Sequence, residues 1–498
     1  MLFLFAVGIL IRSVPNLIAN SPIGYDTIYY ATQILDWRNS LANLNIVFQT
    51  PLHLILLGPV YALTGADPFA LLGMTQPLLY GLLSVSFYYA ARRLLKWEPK
   101  WALLATLIFQ LQTVTLRISW DLLRNELGLV ILLFTLPMLK DINNRPLTFA
   151  FLSFLVVLSH QTTTILLFTI IAYNLITQFR KHEYGDIKRL VFCSLPAALL
   201  FTGVLANSTG LLVIPFTEGP SIFPKTVSLA ETPKIFLNYL AGDDYVNYNQ
   251  SYISLLTDVI SLYTASFILI LPLVMKGTKT LREGSIAVWT GFCAFASLMC
   301  LASPSYALLL WYRWMQLLIV PYTFFATNGI CRISEDKRLR ISRKKLAILA
   351  CLIYAVVAAL YLATPYTNPI STYAAISPSS KYSTSTMLSN TVPAEDTPSV
   401  KEALQWISQN IGTNSCLLTR DVFFNWAKLY LNKDDIIVYY RNRDVSVGIE
   451  LAESHNFGII YWIWWAENGI GLKWYGQSVP TGFSQIYRTG NIVIYRYQ

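Results

Sequence analysis

The sequence predicts a mainly α-helical membrane protein that ends in a small α/β domain. Hydrophobic residues make up 54% of the 498 residues and charged residues only 13%, against about a quarter charged in an ordinary soluble domain. Apolar runs of roughly 18 or more residues, each long enough to cross a bilayer as a helix, recur along the chain as far as Ala363. Beyond them, helix-like and strand-like patterns alternate, which is typical of an α/β layer.

The apolar runs predict a bundle of about eleven transmembrane helices. The first, Met1–Ala19, lacks the basic start and small-residue cleavage site of a signal peptide, so we expect it to be a span. Thr27–Leu41 is amphipathic, and Pro51–Leu63 is apolar but too short to cross the membrane. Both segments predict helices that lie along the membrane surface. The remaining predicted spans are Phe69–Ala91, Trp101–Ser119, Leu122–Leu139, Pro146–Leu158, Thr162–Phe179, Leu190–Leu205, Leu255–Met275, Ser285–Ala302, Tyr306–Ile330 and Leu346–Ala363.

The placement of charge predicts the orientation of this bundle. The net charge is +10, and the cations cluster in short loops between apolar runs, such as Arg92–Lys100 and Arg332–Lys345. Loops of this kind stay in the cytoplasm, whereas Asp26 and Asp121 fall on the opposite side. The pattern argues against nucleic acid as a partner. It indicates a multi-pass cell-membrane protein with a cytoplasmic N-terminus and an extracytoplasmic chain after Pro365.

Composition divides the chain into a transmembrane domain over residues 1–364, a linker over 365–397 and an outer α/β domain over 398–498. The linker is rich in Ser, Thr and Pro. No Gly-rich phosphate loop opens a helix of the outer domain, so we assign it no chemistry. Its expected helices are Ser399–Asn410, Val422–Leu431 and Val445–Ser454, and its expected strands are Ser415–Thr419, Ile436–Tyr440, Gly458–Trp464 and the hairpin Phe483–Arg488 with Asn491–Tyr497.

The polar stretch Ser21–Tyr30 contains the first candidate catalytic residue. It follows the first span and brings one carboxylate, Asp26, to the membrane–water boundary among aromatic side chains such as Tyr25. A carboxylate in that place can act as a general base. The alternative is that Asp26 only caps the helix that follows, because Asp is a preferred N-cap residue.

Further polar residues fall at the same predicted outer face. They are Asp121, Arg124, Glu126, His160 and Gln161. Each has a structural alternative: Asp121 can cap a helix or pair with Arg124, and His160 can bond a carbonyl group. Their common location favours a single functional site.

Arg12 and Arg313 lie inside predicted spans, where an ionisable side chain is costly and tends to face a cavity or a polar headgroup. Arg12 lies in the first span. Arg313 lies near the outer end of its span between Trp311 and Trp314, and its planar, charged fork suits phosphate oxygens. The alternative is that Arg313 merely snorkels between tryptophans at the membrane interface.

These residues fit glycosyl transfer from a lipid phosphate. A carboxylate takes the proton of an acceptor hydroxyl as its oxygen attacks the anomeric carbon, and cations stabilise the charge on the departing phosphate. The sequence contains no P-loop and no GxGxxG motif that opens a helix after a strand. No cofactor is therefore assigned, and a divalent metal, Mg²⁺ or Mn²⁺, is left open.

The order of the motifs resembles the GT-C superfamily of polyprenyl-phosphate-dependent glycosyltransferases, in particular protein O-mannosyltransferases and the aminoarabinose transferase of lipid A. The resemblance covers about the first 330 residues. The chain departs from the family pattern at Thr27, where a second acid is usual, and at Thr50, where some members have a basic residue. The resembling motifs are Arg12 and Pro22 before Tyr25-Asp26-Thr27-Ile28-Tyr29-Tyr30, then Thr50-Pro51-Leu52, Leu63-Thr64-Gly65, Ala91-Arg92-Arg93-Leu94, Asp121 and Tyr312-Arg313-Trp314.

The resemblance implies a GT-C-type bundle and a role for each candidate residue. Asp26 is implied as the catalytic base, Asp121 as a second active-site carboxylate and Arg313 as a contact of the donor phosphate. Of the other candidates, Arg124, His160 and Arg12 are assigned to binding of the donor phosphate. Tyr25, Glu126 and Gln161 are assigned to the substrate pocket.

The sequence thus predicts a glycosyltransferase that moves a sugar from a polyprenyl (dolichyl-type) phosphate to a lipid-linked glycan or surface glycoconjugate at the outer face. An oligosaccharyltransferase acting on protein is an alternative, and Trp464-Trp465-Ala466-Glu467 weakly echoes its WWD motif. A transporter or flippase is disfavoured because the ionisable groups lie at one edge. The hypothesis of a non-catalytic surface protein is supported only by the aromatic stretch Tyr461–Trp465, which buried strand packing explains equally well.

Overall fold

The computed structural model describes residues 1–24, 26–42, 49–208, 252–302, 311–333, 343–363, 391–412, 414–431, 436–440, 444–467 and 477–497. The chain forms two compact units. The helical unit contains Met1–Val14, Arg38–Leu57 and Met74–Met387. The α/β unit contains Leu388–Gln498 together with two N-terminal segments, Pro15–Trp37 and Gly58–Gly73.

The N-terminal part of the chain is helical almost throughout. Its helices are α1 (Leu2–Ala19), α2 (Thr27–Leu35), α3 (Trp37–Ala42), α4 (Leu52–Thr64), α5 (Pro68–Arg93), α6 (Pro99–Gln110), α7 (Thr113–Asp121), α8 (Leu123–Thr135), α9 (Pro146–Ser159), α10 (Gln161–Arg180), α11 (Tyr184–Ser208), α12 (Tyr252–Phe267), α13 (Leu271–Gly277), α14 (Gly284–Ala302), α15 (Trp311–Leu317), α16 (Ile319–Ile333) and α17 (Arg343–Ala363). Each expected span contains helix in its described part, which confirms the predicted helical membrane fold.

The expected straight spans are bent in places. Six helices of the described residues, α1, α5, α10, α11, α14 and α17, are long and apolar enough to cross a membrane. The number rises to eight if the pair α6–α7, bent by 63°, and the pair α12–α13, bent by 77°, each count as one span. The helix α9 is apolar but shorter. Length and composition therefore support an integral membrane protein.

An identifiable residue lies at each of the two bends. At the end of α6 the Tyr80 hydroxyl donates to the Gln110 carbonyl at 2.6 Å, and a side chain that occupies a helical carbonyl interrupts the backbone ladder. Between α12 and α13, Pro272 supplies no amide proton to continue the helix. Neither break is visible from hydropathy alone.

Glycine allows the backbones of α13 and α16 to touch. A Cβ atom on Gly277 would lie 1.8 Å from the Phe325 carbonyl oxygen, and one on Gly329 would lie 2.1 Å from the Leu273 carbonyl oxygen. Small residues let helices approach closely in this way in membrane proteins. The bent pair is thereby fixed against the helix that follows Arg313.

The short helix α4 agrees with the expectation of a surface helix. Its 13 residues span about 20 Å, less than the hydrocarbon core of a bilayer. Ile55, Leu56, Val60 and Leu63 are exposed on it. An apolar helix of this length with exposed aliphatic side chains fits the membrane interface.

The C-terminal part folds as the predicted α/β layer. Its helices are α18 (Thr397–Asn410), α19 (Asp421–Leu431) and α20 (Ser446–Ser454), and its strands are β1 (Ser415–Thr419), β2 (Ile437–Tyr439), β3 (Ile459–Trp465), β4 (Phe483–Thr489) and β5 (Ile492–Tyr497). The sheet order is β2-β1-β3-β5-β4, with β2, β1 and β3 parallel and the β4–β5 hairpin antiparallel.

The aromatic strand β3 is the core of this sheet. Trp462, Trp464 and Trp465 are almost completely buried, and the Trp465 indole N–H donates to the buried carboxylate of Asp396 at 2.9 Å. Buried strand packing therefore explains the stretch Tyr461–Trp465. The interpretation of this stretch as a surface for a partner is wrong.

Candidate active site

The segment before α2, residues 20–26, is named here the Asp26 loop, and it is held by contacts within the α/β unit. Asn16 donates from Nδ2 to the Gly73 carbonyl oxygen at 3.0 Å and accepts the Ile23 amide at Oδ1 at 3.3 Å. A Cβ atom on Gly73 would lie 2.7 Å from Cγ of Pro22, so the start of α5 lies directly against the loop. These contacts fix the path of the chain just before Asp26.

Asp26 occupies the N-cap position of α2 but makes no side-chain cap hydrogen bond. The helix is entered through the backbone, because the Thr27 amide donates to the Gly24 carbonyl oxygen at 3.0 Å. Gly24 has φ of 127°, which favours glycine. The carboxylate of Asp26 is half-buried. The interpretation of Asp26 as only a side-chain helix cap is therefore wrong. Tyr25, the other candidate of this stretch, lies outside the described residues.

Within the helical unit, Arg124 is the centre of a group named here the cationic cluster: Thr50, His53, Arg124, His160 and Arg313. Arg124 donates from Nη1 to the Thr50 hydroxyl and to the Gln49 carbonyl oxygen, both at 3.2 Å. Its charge acts on His53 and on His160, and the charge of Arg313 also acts on His160. Four ionisable side chains from distant parts of the sequence thus share one positive potential.

His160 is the N-cap residue of α10. Its Nδ1 accepts the Thr162 amide at 3.1 Å, so this ring nitrogen bonds a backbone N–H group and not a carbonyl group. Burial lowers the pKa of His160 well below its ordinary value, and the charges of Arg124 and Arg313 lower it further. The neutral ring therefore carries its proton on Nε2, where it is a hydrogen-bond donor.

His53 belongs to the cluster and was not expected from the sequence. It is the second residue of α4 and only 3% exposed. Burial, and then the charge of Arg124, hold the pKa of His53 well below its ordinary value, although a backbone hydrogen bond with Thr50 raises it. The signal that could have identified His53 is a single imidazole at the start of an otherwise apolar run.

Arg313 lies in α15 and is half-buried. Its neighbours Trp311 and Trp314 are 0% and 8% exposed, and Trp314 packs edge-on against Phe292 with ring centroids 5.3 Å apart. Tryptophans at a lipid–water interface would expose their rings. The two tryptophans beside Arg313 are therefore buried inside the protein and do not form the exposed interfacial pair that the snorkelling alternative assumes.

Arg12 belongs to a second group, named here the sealed cluster: Arg12, Gln76, Ser119, Trp120 and Glu126. Arg12 is completely buried and donates from Nη2 to Gln76 Oε1 at 2.8 Å and from Nε to the Ser119 carbonyl oxygen at 3.3 Å. Gln76 donates to the Trp120 carbonyl oxygen at 3.4 Å. Glu126 is also completely buried and lies within electrostatic range of Arg12.

The remaining candidates lie at helix ends. Asp121 is the last residue of α7, and Leu122 is the N-cap residue of α8, so Asp121 does not cap that helix. The side chain of Asp121 is not described, but the two carbonyl groups before it are held by Arg12 and Gln76. Gln161 begins α10 and is half-buried. The described residues contain no group of three or more His, Cys, Asp or Glu that could hold a metal ion.

Comparison with known proteins reveals similarity of fold. No protein-family model matches the sequence, and no curated protein sequence matches it. ArnT from Cupriavidus metallidurans, solved with bound undecaprenyl phosphate, is similar with a TM-score of 0.56 and 12% identity, over 99% of this chain and 97% of ArnT. The oligosaccharyltransferase AglB from Archaeoglobus fulgidus, solved with an inhibitory peptide and a dolichol phosphate, is similar with a TM-score of 0.50 and 11% identity, over 95% of this chain and 69% of AglB.

The similarity extends over nearly the whole chain. It confirms the predicted fold class: this chain is an integral membrane protein whose fold is similar to those of ArnT and AglB.

Proposed function

We propose that this protein is a glycosyltransferase that takes a sugar from a polyprenyl phosphate and transfers it to an acceptor hydroxyl. The single observation that supports this best is the cationic cluster. Burial keeps His53 and His160 neutral, and the charge of Arg124, which acts on both, and that of Arg313, which acts on His160, add to this effect. A positive potential of this kind, with arginine forks and imidazole N–H donors, suits a phosphate.

In the proposed reaction, Asp26 is the general base. Its carboxylate takes the proton of the acceptor hydroxyl while the acceptor oxygen attacks the anomeric carbon of the sugar. The bond between that carbon and the phosphate oxygen breaks, and the polyprenyl phosphate leaves with the electron pair. Arg124 and Arg313 stabilise the added negative charge, and His160 donates a hydrogen bond from Nε2. Atoms and charge balance without a further reactant.

The sealed cluster has a different role in this proposal. Because Arg12 and Gln76 bind the carbonyl groups of Ser119 and Trp120, we assign them to the placement of Asp121, the second carboxylate implied by the family resemblance. This role replaces the direct phosphate contact expected of Arg12. Glu126 is completely buried within electrostatic range of Arg12, and we assign it to the sealed cluster in place of the substrate pocket.

The proposed setting is the outer face of the cell membrane. The basic loops between the apolar helices favour a cytoplasmic N-terminus and an extracytoplasmic C-terminal domain. The donor is then a polyprenyl or dolichyl phosphate, and the acceptor is a lipid-linked glycan, a surface glycoconjugate or a protein. Likeness of fold to ArnT and AglB supports a lipid-phosphate donor and leaves the acceptor to experiment.

The test is transfer by the purified protein, with Asp26→Asn compared against wild type. The donors are undecaprenyl phosphates carrying mannose, glucose or galactose, mixed with a membrane extract of the host as acceptor, and the readout is release of free undecaprenyl phosphate by mass spectrometry. We expect loss of at least a thousandfold for Asp26→Asn. Asp36→Asn, at the other end of α2 and exposed, is the matched control and should retain transfer.

Three results would overturn the proposal or its parts. Wild-type release by Asp26→Asn would remove the base assignment. Glycopeptide as the main product would favour the oligosaccharyltransferase. Movement of the lipid-linked sugar across liposomes with no release of free lipid phosphate would favour a transporter.

A further inference from the structure

The α/β unit contains more than the C-terminal domain that the sequence predicts. The segment Pro15–Trp37, which contains the Asp26 loop, and the segment Gly58–Gly73 belong to the same compact unit as Leu388–Gln498. The C-terminal helix α19 packs against α2, the helix that begins directly after Asp26. The two helices are separated by nearly the whole sequence.

The contact between α2 and α19 is both apolar and polar. Ile28, Ala31 and Ile34 of α2 are completely buried. On the same helix, Thr32 Oγ1 donates to the Tyr29 carbonyl oxygen at 2.7 Å and lies 3.3 Å from Asn425 Oδ1 of α19, within hydrogen-bonding distance. Both Thr32 and Asn425 are half-buried. The polar pair therefore sits at the margin of the contact, where it can be altered without opening the core.

The same helix α19 also contacts the start of α5, which lies against the Asp26 loop. Phe69, at the start of α5, packs edge-on against Trp426 with ring centroids 5.2 Å apart. The Lys401 ammonium of α18 lies 5.2 Å from the ring centroids of both Phe69 and Tyr430, a favourable cation–π distance. Four residues further along α5, Gly73 lies against Pro22 of the loop.

These contacts hold the chain segments that precede and follow Asp26 in the sequence. Asp26 is the N-cap residue of α2, so the direction of α2 sets where its carboxylate is placed. A base displaced by about 1 Å can lose a hundredfold in rate. Residues that hold a catalytic side chain through packing thus act on the chemical step.

We propose that the C-terminal α/β layer, through α19, is a positioning element for Asp26. This inference rests on the proposed function of Asp26 as the base. Thr32, Asn425, Phe69 and Trp426 are the positioning residues. They do not touch the substrate, and they act through the orientation of α2 and of the start of α5.

The test uses Thr32→Val combined with Asn425→Leu in the full-length protein, because both replacements keep side-chain volume and remove the polar contact. We expect faster amide hydrogen exchange over residues 26–35 and unchanged exchange in β1. We also expect kcat to fall at least tenfold while the Kd for undecaprenyl phosphate stays within twofold. A positioning role moves kcat without moving donor affinity, whereas general destabilisation does not produce this division.

Two controls make the result specific. Thr32→Ser keeps the hydroxyl and should restore wild-type exchange and kcat. Thr489→Val removes a hydrogen bond of 2.7 Å to Glu402 elsewhere in the same domain and should leave both readouts unchanged. Phe69→Leu is a second disruptive variant, which tests the contact with Trp426 independently and should also lower kcat.

Unchanged exchange over residues 26–35, or unchanged kcat in the double variant, would overturn the inference. A lower melting temperature with wild-type kcat would show that the contact serves stability alone and would also overturn it. Asp26→Asn, measured in parallel, separates the two proposals. If that variant transfers sugar normally, the base assignment fails whatever the exchange data show; if it is inactive while the double variant is fully active, only the positioning inference fails.

Discussion

The helical unit contains two groups of charged side chains that differ in how their charges are satisfied. In the sealed cluster, Arg12 is completely buried and donates hydrogen bonds to Gln76 and to a backbone carbonyl group. In the cationic cluster, Arg124 and Arg313 are half-buried and act together on His160. A buried arginine that donates to other groups of the protein braces a membrane fold, whereas half-buried like charges are suited to receive an anion.

The largest effect expected from this difference is on stability. Arg12→Met should lower the free energy of unfolding by about 1–3 kcal/mol for each of the two buried acceptors that lose the Arg12 donor, Gln76 Oε1 and the Ser119 carbonyl oxygen. Unfolding in detergent, followed by circular dichroism, measures the loss. Arg12→Lys, which keeps a donor at this position, should lose less. A single variant as stable as wild type would contradict the description of Arg12 as the hydrogen-bond donor that braces the sealed cluster.

The next largest expected effect is on sugar transfer, when an arginine of the cationic cluster is replaced. Arg124→Gln and Arg313→Gln should each lower kcat/KM by roughly 10- to 150-fold, the equivalent of about 1.5–3 kcal/mol for a hydrogen bond to a charged group. Their melting temperatures should stay near that of wild type. Arg180→Gln, at the far exposed end of α10, is the matched control. Loss of folding with no specific loss of transfer would make the two clusters alike.

A smaller effect concerns pH. The pKa values of His53 and His160 are lowered in the folded protein, first by burial and then by the arginine charges. Below pH of about 6.5 the unfolded chain binds protons that the folded chain does not. The free energy of unfolding should therefore fall as the pH drops from about 6.5 towards the lowered pKa values.

Unfolding of wild type and of the double variant His53→Gln, His160→Gln at pH 7.5 and pH 5 tests this expectation. The double variant should lose less stability between the two pH values. Equal losses would show that these histidines are not kept neutral by the cluster.

The smallest effect expected is that of Thr50→Val, which removes the hydroxyl that accepts from Arg124 at 3.2 Å. Valine keeps the branched shape at a residue with φ of 55°, so the change isolates the hydrogen bond. A bond of this kind contributes about 0.5–1.5 kcal/mol, and transfer should fall about 2- to 10-fold in the same assay. A loss as large as that of Arg124→Gln would mean that Thr50 does more than orient the guanidinium.

The sequence predicts the architecture well because its signals are local. Hydropathy marks the spans, and short strands between turns mark the α/β layer, whose elements begin and end within two residues of expectation. The bend at Gln110 escapes prediction because its cause, the Tyr80 hydroxyl, lies 30 positions away. Local patterns do not carry such contacts.

The site is predicted only in part for the same reason. Arg124, His160 and Arg313 are visible as polar residues beside apolar runs, and the structure brings them together. His53 is hidden because one imidazole does not change the hydropathy of its helix. Arg12 has the same sequence signature as Arg313, and only its contacts with Gln76 and Ser119 assign it to the other cluster.

We propose that the cationic cluster binds the donor phosphate and that Asp26 acts as the base in the chemical step. The most direct test is the affinity of the purified protein for undecaprenyl phosphate, measured by native mass spectrometry. We expect Asp26→Asn to bind with wild-type affinity and Arg124→Gln combined with Arg313→Gln to lose at least a hundredfold. Wild-type affinity in that double variant would contradict the account.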